Sequence, residues 1–317
     1  MRKSLPKQLF ALSCAGLLAA SVHAAQVLGP DDDEPDLVPT GKGWGERATP
    51  LPGYVTHGNG QAKPGGGGAS SNGINYHGGP VMLGTTNVYY IWYGNWSGNS
   101  ATTILPSLAQ SIGGSSYYNI NTTYFDGSNQ HVSNAVQYGG AINDNYSFGT
   151  SLSDSQIQSV VANALNSNKL PKRQDAVYFV LTSADVTASS GFCTQYCGWH
   201  THGTIAGLDI KYSFVGNPDR CPSACAAQTT SPNGNTGADG MASIIAHELE
   251  EAVTDPDLNA WYDRRGYENA DKCAWTFGTE FTAGNGSKYN MTLGGLNYLI
   301  QRNWVNANGG FCATAYP

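Results

Sequence analysis

The stretch that most constrains this chain is Ile244-Ile245-Ala246-His247-Glu248-Leu249-Glu250-Glu251, which sets three carboxylates and a histidine in an apolar run. It reads as the strongest helix of the sequence, from Asp239 as N-cap to about Thr254, where Pro256 discourages continuation. At about 3.6 residues per turn, Met241, Ile244, Ile245, Leu249 and Ala252 share one face, and Glu248 lies within roughly 20° of Met241. A carboxylate therefore points into the apolar stripe, with His247 and Glu251 together at its edge. An ionised Glu in an apolar setting is costly without a partner, so the fold has to bring one.

A metal ion answers that demand. In zinc peptidases, H-E-x-x-H places two ligands one helical turn apart, and the Glu between them acts as general base. Here Glu251 replaces the second histidine, giving H-E-x-x-E. Glu can ligate zinc through oxygen, although the added charge weakens the ion as a Lewis acid or favours harder ions. Thermolysin-like zincins resemble this chain in taking a third ligand from a later Glu, with an Asp just beyond it. Tyr267-Glu268-Asn269-Ala270-Asp271 follows His247 by about 20 residues and offers Glu268 as ligand, with Asp271 as ligand or support. A metzincin-type spacing would instead use Asp257, though Thr254 stands where that pattern has glycine. His200 and His202 are further candidates. The competing expectation is a solvated helix face carrying Glu248, Glu250 and Glu251 with no metal.

The N-terminus reads as an export signal over residues 1–24. Arg2, Lys3 and Lys7 precede an apolar run from Leu9 to Ala20, and Val22-His23-Ala24 makes a small-x-small cleavage site. That run is too short to span a bilayer as a helix, so the mature chain is expected to be secreted, extracellular or periplasmic, and off the membrane. Of seven cysteines, Cys14 leaves with the signal. Cys193, Cys197, Cys221, Cys225, Cys273 and Cys312 remain, an even set that suggests disulfides in an oxidising compartment. Their pairing is open, and the close pairs Cys193/Cys197 and Cys221/Cys225 also suit a metal. Loss of the three signal cations moves the formal charge from −7 to −10, which argues against a nucleic-acid partner.

Residues 25–75 hold an acid run, Asp31-Asp32-Asp33-Glu34, and the linker-like Pro64-Gly65-Gly66-Gly67-Gly68-Ala69-Ser70-Ser71. That composition predicts a flexible spacer or pro-segment. One domain is expected over 76–317, long enough for a sizeable core. Strands are expected at Val88 to Gly94, Ala176 to Thr182 and Ile205 to Val215. Helices are expected from Thr103 to Ile112 and, capped by Ser153, to about Asn166. The C-terminal part should be irregular strands and loops pinned by Cys273 and Cys312.

Ordered stretches carry a family likeness: Tyr89-Tyr90-Ile91-Trp92-Tyr93-Gly94-Asn95-Trp96, Val177 to Val186, Phe192-Cys193 and Cys197-Gly198-Trp199-His200. Val215-Gly216-Asn217, Cys221-Pro222, Asp239-Gly240-Met241 through Glu251, Asn259-Ala260-Trp261-Tyr262 and Ala270-Asp271-Lys272-Cys273 continue it. At these residues the chain resembles the exordium, or phosphate-induced protein 1, family of secreted proteins, and its simple signal suggests a bacterial-type member. The plant members are tied to cell expansion and growth responses, without a settled biochemical activity. The resemblance implies that Glu at 251 is a family trait and that His200 is a better extra ligand than His202. It also weakens Asp257, which is apolar in the plant pattern.

Together these observations predict an α/β (α+β) fold, a zincin-like layered architecture with a mixed sheet and an HExxE active-site helix. The expected function is a zinc-dependent hydrolase, a peptidase, with Glu248 as base and His247, Glu251, Glu268 and Asp271 at Zn2+. The alternative is a non-catalytic protein on the same scaffold that contacts peptides or cell-wall glycans. A glycosidase pairing Glu248 with Asp271 is a third possibility.

Overall fold

A computed structural model describes residues 38–42 and 73–317. The expected signal at 1–24 and most of the segment at 25–75 lie outside the described residues.

The centre is a five-stranded sheet made of β1 (Thr86–Tyr93), β2 (Val136–Asp144), β3 (Ala176–Thr182), β4 (Gly198–Ile205) and β5 (Leu208–Val215). The strands lie in the order β2-β1-β3-β5-β4. β1 runs parallel to β2 and β3, β3 runs parallel to β5, and only the edge strand β4 is antiparallel to its neighbour. β1 and β3 are buried along their whole length, as expected of parallel strands covered on both faces.

Three helices supply that cover: α1 (Ala101–Ser111), α2 (Asp154–Asn166) and α3 (Thr236–Thr254). Side chains alternate across a sheet, so Tyr90 and Tyr178 face opposite ways, because Tyr178 is paired with Tyr89. The Tyr90 hydroxyl donates to the Leu105 carbonyl of α1, while the Tyr178 hydroxyl donates to Pro171, just after α2. α1 and α2 therefore lie on opposite faces. α3 packs on α1 and on β4 and β5. The α/β mixed sheet is as expected.

Local chemistry sets several boundaries. Ser153 caps α2 through a full capping box: its hydroxyl accepts from the Gln156 amide, and the Gln156 side chain accepts from the Ser153 amide. Asp239 is not the cap of the long helix. α3 begins one turn earlier, Asn235 accepts from the Ala238 amide, and the Asp239 carboxylate instead accepts from Ser231 and Asn233. The strand expected from Ile205 to Val215 is a hairpin corner followed by β5. Ala206 and Gly207 both have positive φ, +55° and +78°, and reverse the chain between β4 and β5 in a tight two-residue turn.

Three disulfides join Cys193 to Cys221, Cys197 to Cys225 and Cys273 to Cys312. Neither close cysteine pair bonds internally or serves as a metal site; each reaches across to the other. After α3 the chain forms four two-stranded ribbons. The first pairs Trp261–Tyr262 with Asn75–Tyr76, and the last pairs Asn303–Val305 with Phe311–Ala313. No helix among the described residues is long and apolar enough to cross a membrane.

Candidate metal centre

α3 is buried nearly all round, and Glu248, Glu250 and Glu251 are each 0% exposed. They are not a solvated face. The helix runs through the core between the sheet and the C-terminal ribbons, so each carboxylate meets protein.

Glu251 is the pivot. Its Oε1 lies 3.1 Å from Nε2 of His247, one turn earlier, and accepts from the Asp271 amide at 3.0 Å. Its Oε2 lies 3.4 Å from Nδ1 of His200 on β4. Asp271 comes from the loop after α3, and its Oδ1 stands 3.6 Å from Nε2 of His247. Glu248 faces the sheet, with Oε2 3.5 Å from Nδ1 of His200, and Glu268 meets the other ring nitrogen of His200, also at 3.5 Å.

Strand alternation aims His200 at the helix. Gly198, two residues earlier on the same face, lets the two elements approach. A Cβ there would stand 2.5 Å from Ile244 Cγ2 and 3.1 Å from Glu248 Oε1. The loop carrying Glu268 and Asp271 is held by Cys273–Cys312, by the Trp304 amide donating to Asn269, and by the Asn269 side chain donating to the Glu250 carbonyl.

Burial and charge pull the site in opposite directions. Burial alone would lower both imidazoles, but Glu268 beside His200 and Glu251 beside His247 outweigh it and raise both well above the ordinary histidine range. Burial pushes Glu248 up to about 7, against the lowering effect of the two histidines. Burial also raises Asp271 to about 6. For Glu251 the histidines win over burial and hold it down at about 2. Glu250 lies apart, takes a hydrogen bond from Asn303, and is held well above the usual carboxylate range by burial.

Both ring nitrogens of His200 and His247, both oxygens of Glu248, and one oxygen each of Glu251, Glu268 and Asp271 are buried without a hydrogen bond of ordinary geometry. Orphaned donors and acceptors are costly in a dry interior. Two groups offer ligand atoms all within 4.8 Å of one another: His247 with Glu251 and Asp271, and His200 with Glu248 and Glu251. A tetrahedral ion about 2 Å from each ligand sets those ligands about 3.3 Å apart, so the spacings fit a divalent cation.

Of the expected ligands, His247, Glu251 and Asp271 meet, whereas Glu268 lies against His200. Asp257 and His202 are elsewhere, in a group with Asp209 and Lys211. There Lys211 Nζ stands 2.5 Å from Asp209 and 3.2 Å from Asp257, so a cation is already supplied. His200 enters the centre more fully than an extra ligand. The i, i+2 spacing of Gly198 and His200 puts both on one strand face, and the packing of β4 against α3 turns that face to the site. A small pocket lined by Cys225, Gln228, Asp239, Ser243, Trp275 and Leu299 has none of the cluster residues in its wall.

The region 74–304 matches a family model described as the phosphate-induced protein 1 conserved region. Protein EXORDIUM-like 3 of Arabidopsis thaliana is 34% identical over 271 residues, covering 73% of this chain and 80% of the relative. Protein EXORDIUM-like 5 of the same plant is 34% identical over 281 residues, covering 76% and 77%. Protein PHOSPHATE-INDUCED 1 of Nicotiana tabacum is 28% identical over 219 residues, covering 60% and 67%. No solved structure matches.

Proposed function

The chain belongs to the phosphate-induced protein 1 family, and on that footing we propose that it is an exported, zincin-like metal-dependent hydrolase acting on peptide bonds. The observation that carries this reading is the meeting of His247, Glu251 and Asp271 in one buried group, with Glu248 next in sequence to His247 and turned into the same cluster. These three residues would hold a divalent cation; zinc accepts one imidazole with carboxylate oxygens, and two carboxylates to one imidazole also suit a harder ion such as manganese.

The cation supplies electrophilic activation of a carbonyl when bound. Proton movement falls to Glu248. Burial brings its affinity for a proton near neutrality, where a general base works best. The Asp271 amide donates to Glu251 and fixes that carboxylate. Export is part of the proposal. Its supports are the N-terminal signal pattern and three disulfides, which suit an oxidising compartment.

The closed environment favours a second reading, a non-catalytic extracellular protein with a structural centre. Glu248 is 0% exposed, and structural metal sites are closed while catalytic ones keep an open position. Metal content of the purified protein, followed by digestion of a peptide mixture by wild type and Glu248→Gln, separates the two. Bound metal with cleavage abolished by the substitution is expected for the hydrolase. Bound metal without cleavage by wild type would leave the structural reading.

A further inference from the structure

We propose that the cluster holds two divalent cations, bridged by Glu251. The proposal rests on the metal reading above and extends it from one ion to two.

The two ligand groups are distinct except for Glu251. On one side stand His247 Nε2, Glu251 Oε1 and Asp271 Oδ1, with separations of 3.1 and 3.6 Å from the imidazole to the two carboxylates. On the other stand His200 Nδ1, Glu248 Oε2 and Glu251 Oε2, with separations of 3.5 and 3.4 Å. Each half has one imidazole and two carboxylates, and each uses a different oxygen of Glu251. A carboxylate whose two oxygens serve two neighbouring groups has the form of a bridge, as in two-metal sites with ions about 3.5–4 Å apart.

Charge balance points the same way. Glu248, Glu251, Asp255, Glu268 and Asp271 are five buried carboxylates around the two imidazoles, none of them paired with Lys or Arg among the described residues. One divalent cation offsets at most two of these charges and two cations offset up to four, so a second ion relieves more of the buried charge. The contrast is the nearby His202, Asp209 and Asp257 group, where Lys211 already supplies the cation.

Glu268 completes the second half without ligating. It faces Nε2 of His200 at 3.5 Å and leaves Nδ1 turned toward Glu248 and Glu251. A carboxylate on the far nitrogen is the usual support of a metal-bound histidine, because it sets the tautomer and orients the ring. With the second ion in place Glu248 is a ligand, so its proton-accepting role belongs to the singly loaded protein.

The test is a metal count on the full exported chain, loaded with Zn2+ and freed of loose ions by gel filtration. Two ions per chain are expected for wild type, one for His200→Gln, and one for His247→Gln. One ion in wild type would overturn the pair and leave the single centre standing. None would overturn both. A second measurement does not depend on variants that fold: wild type loaded with Mn2+ should give an exchange-coupled paramagnetic resonance spectrum. Two Mn2+ per chain with isolated-ion spectra would overturn the bridge.

Discussion

Glu251 stands between two histidines that come from different layers of the fold, His247 one turn before it on α3 and His200 on the edge strand β4, at 3.1 and 3.4 Å. It is thus the residue through which the sheet edge, the buried helix and the Asp271 loop communicate.

Glu251 and its neighbour Glu250 should differ sharply in their sensitivity to amide replacement. Glu251 is ionised against both imidazoles, and breaking a buried charge pair on one side costs about 3–5 kcal/mol. Glu250 is held neutral by burial and takes a hydrogen bond from Asn303, so Gln replaces it with a change of about 1 kcal/mol or less. Urea denaturation of Glu251→Gln and Glu250→Gln, compared at neutral pH, should show a large drop in midpoint for the first and a small one for the second.

Gly198 sets the approach of β4 to α3. A methyl group there meets Ile244 Cγ2 at 2.5 Å and the Phe214 carbonyl at 2.9 Å. Gly198→Ala should therefore cost about 1–3 kcal/mol through overpacking. It should also reduce metal per chain, because Glu248 and His200 are pushed apart. Unchanged metal content with unchanged melting would refute the close-approach account.

The Cys273–Cys312 bond closes a loop of 39 residues and Cys193–Cys221 one of 28. Chain entropy gives each about 3–4 kcal/mol, so paired serine substitutions should lower stability comparably. Only the Cys273/Cys312 pair should weaken metal retention, since it anchors the loop bearing Glu268 and Asp271. Equal metal loss from both pairs would contradict that assignment.

Ser153→Ala removes one half of the capping box of α2 and should cost about 1 kcal/mol. The helix lies on the sheet face opposite α1, so metal content should not change. Thermal melting with parallel metal analysis checks both halves.

Gly41 sits against β4. Its carbonyl accepts from the His200 amide at 3.1 Å, its φ is +69°, and a Cβ would fall 1.9 Å from the His200 carbonyl oxygen. Gly41→Ala should release this contact, and the His200 amide should then exchange its hydrogen faster. Lys42, which pairs with Asp154 and lies over Trp199, should become easier to cleave by trypsin.

Much of the secondary structure was legible residue by residue. Ala176 to Thr182 is a strand over that same span, and Ser153 caps its helix, because a continuous apolar run and a Ser-x-x-Gln box are local signals. The β4–β5 turn has no clear local signal, because Ala206-Gly207 lacks the Asn-Gly or Asp-Gly signature of such turns. Asp239 has the chemistry of a helix cap, since carboxylates are favoured at helix starts. Asn235 lies one turn earlier and holds the position instead.

The sequence by itself determined that His247, Glu248 and Glu251 would share one turn of a helix, since a fixed helical period relates residues three and four apart. It also determined an even cysteine set and a candidate acidic loop. Only the tertiary structure decided that Asp271 meets His247 while Glu268 meets His200, and which cysteines pair. Those partners are distant in the chain, and their meeting depends on β4 pairing beside β5 and presenting His200 to α3. Strand order is set by packing of the whole core, and no local period encodes it.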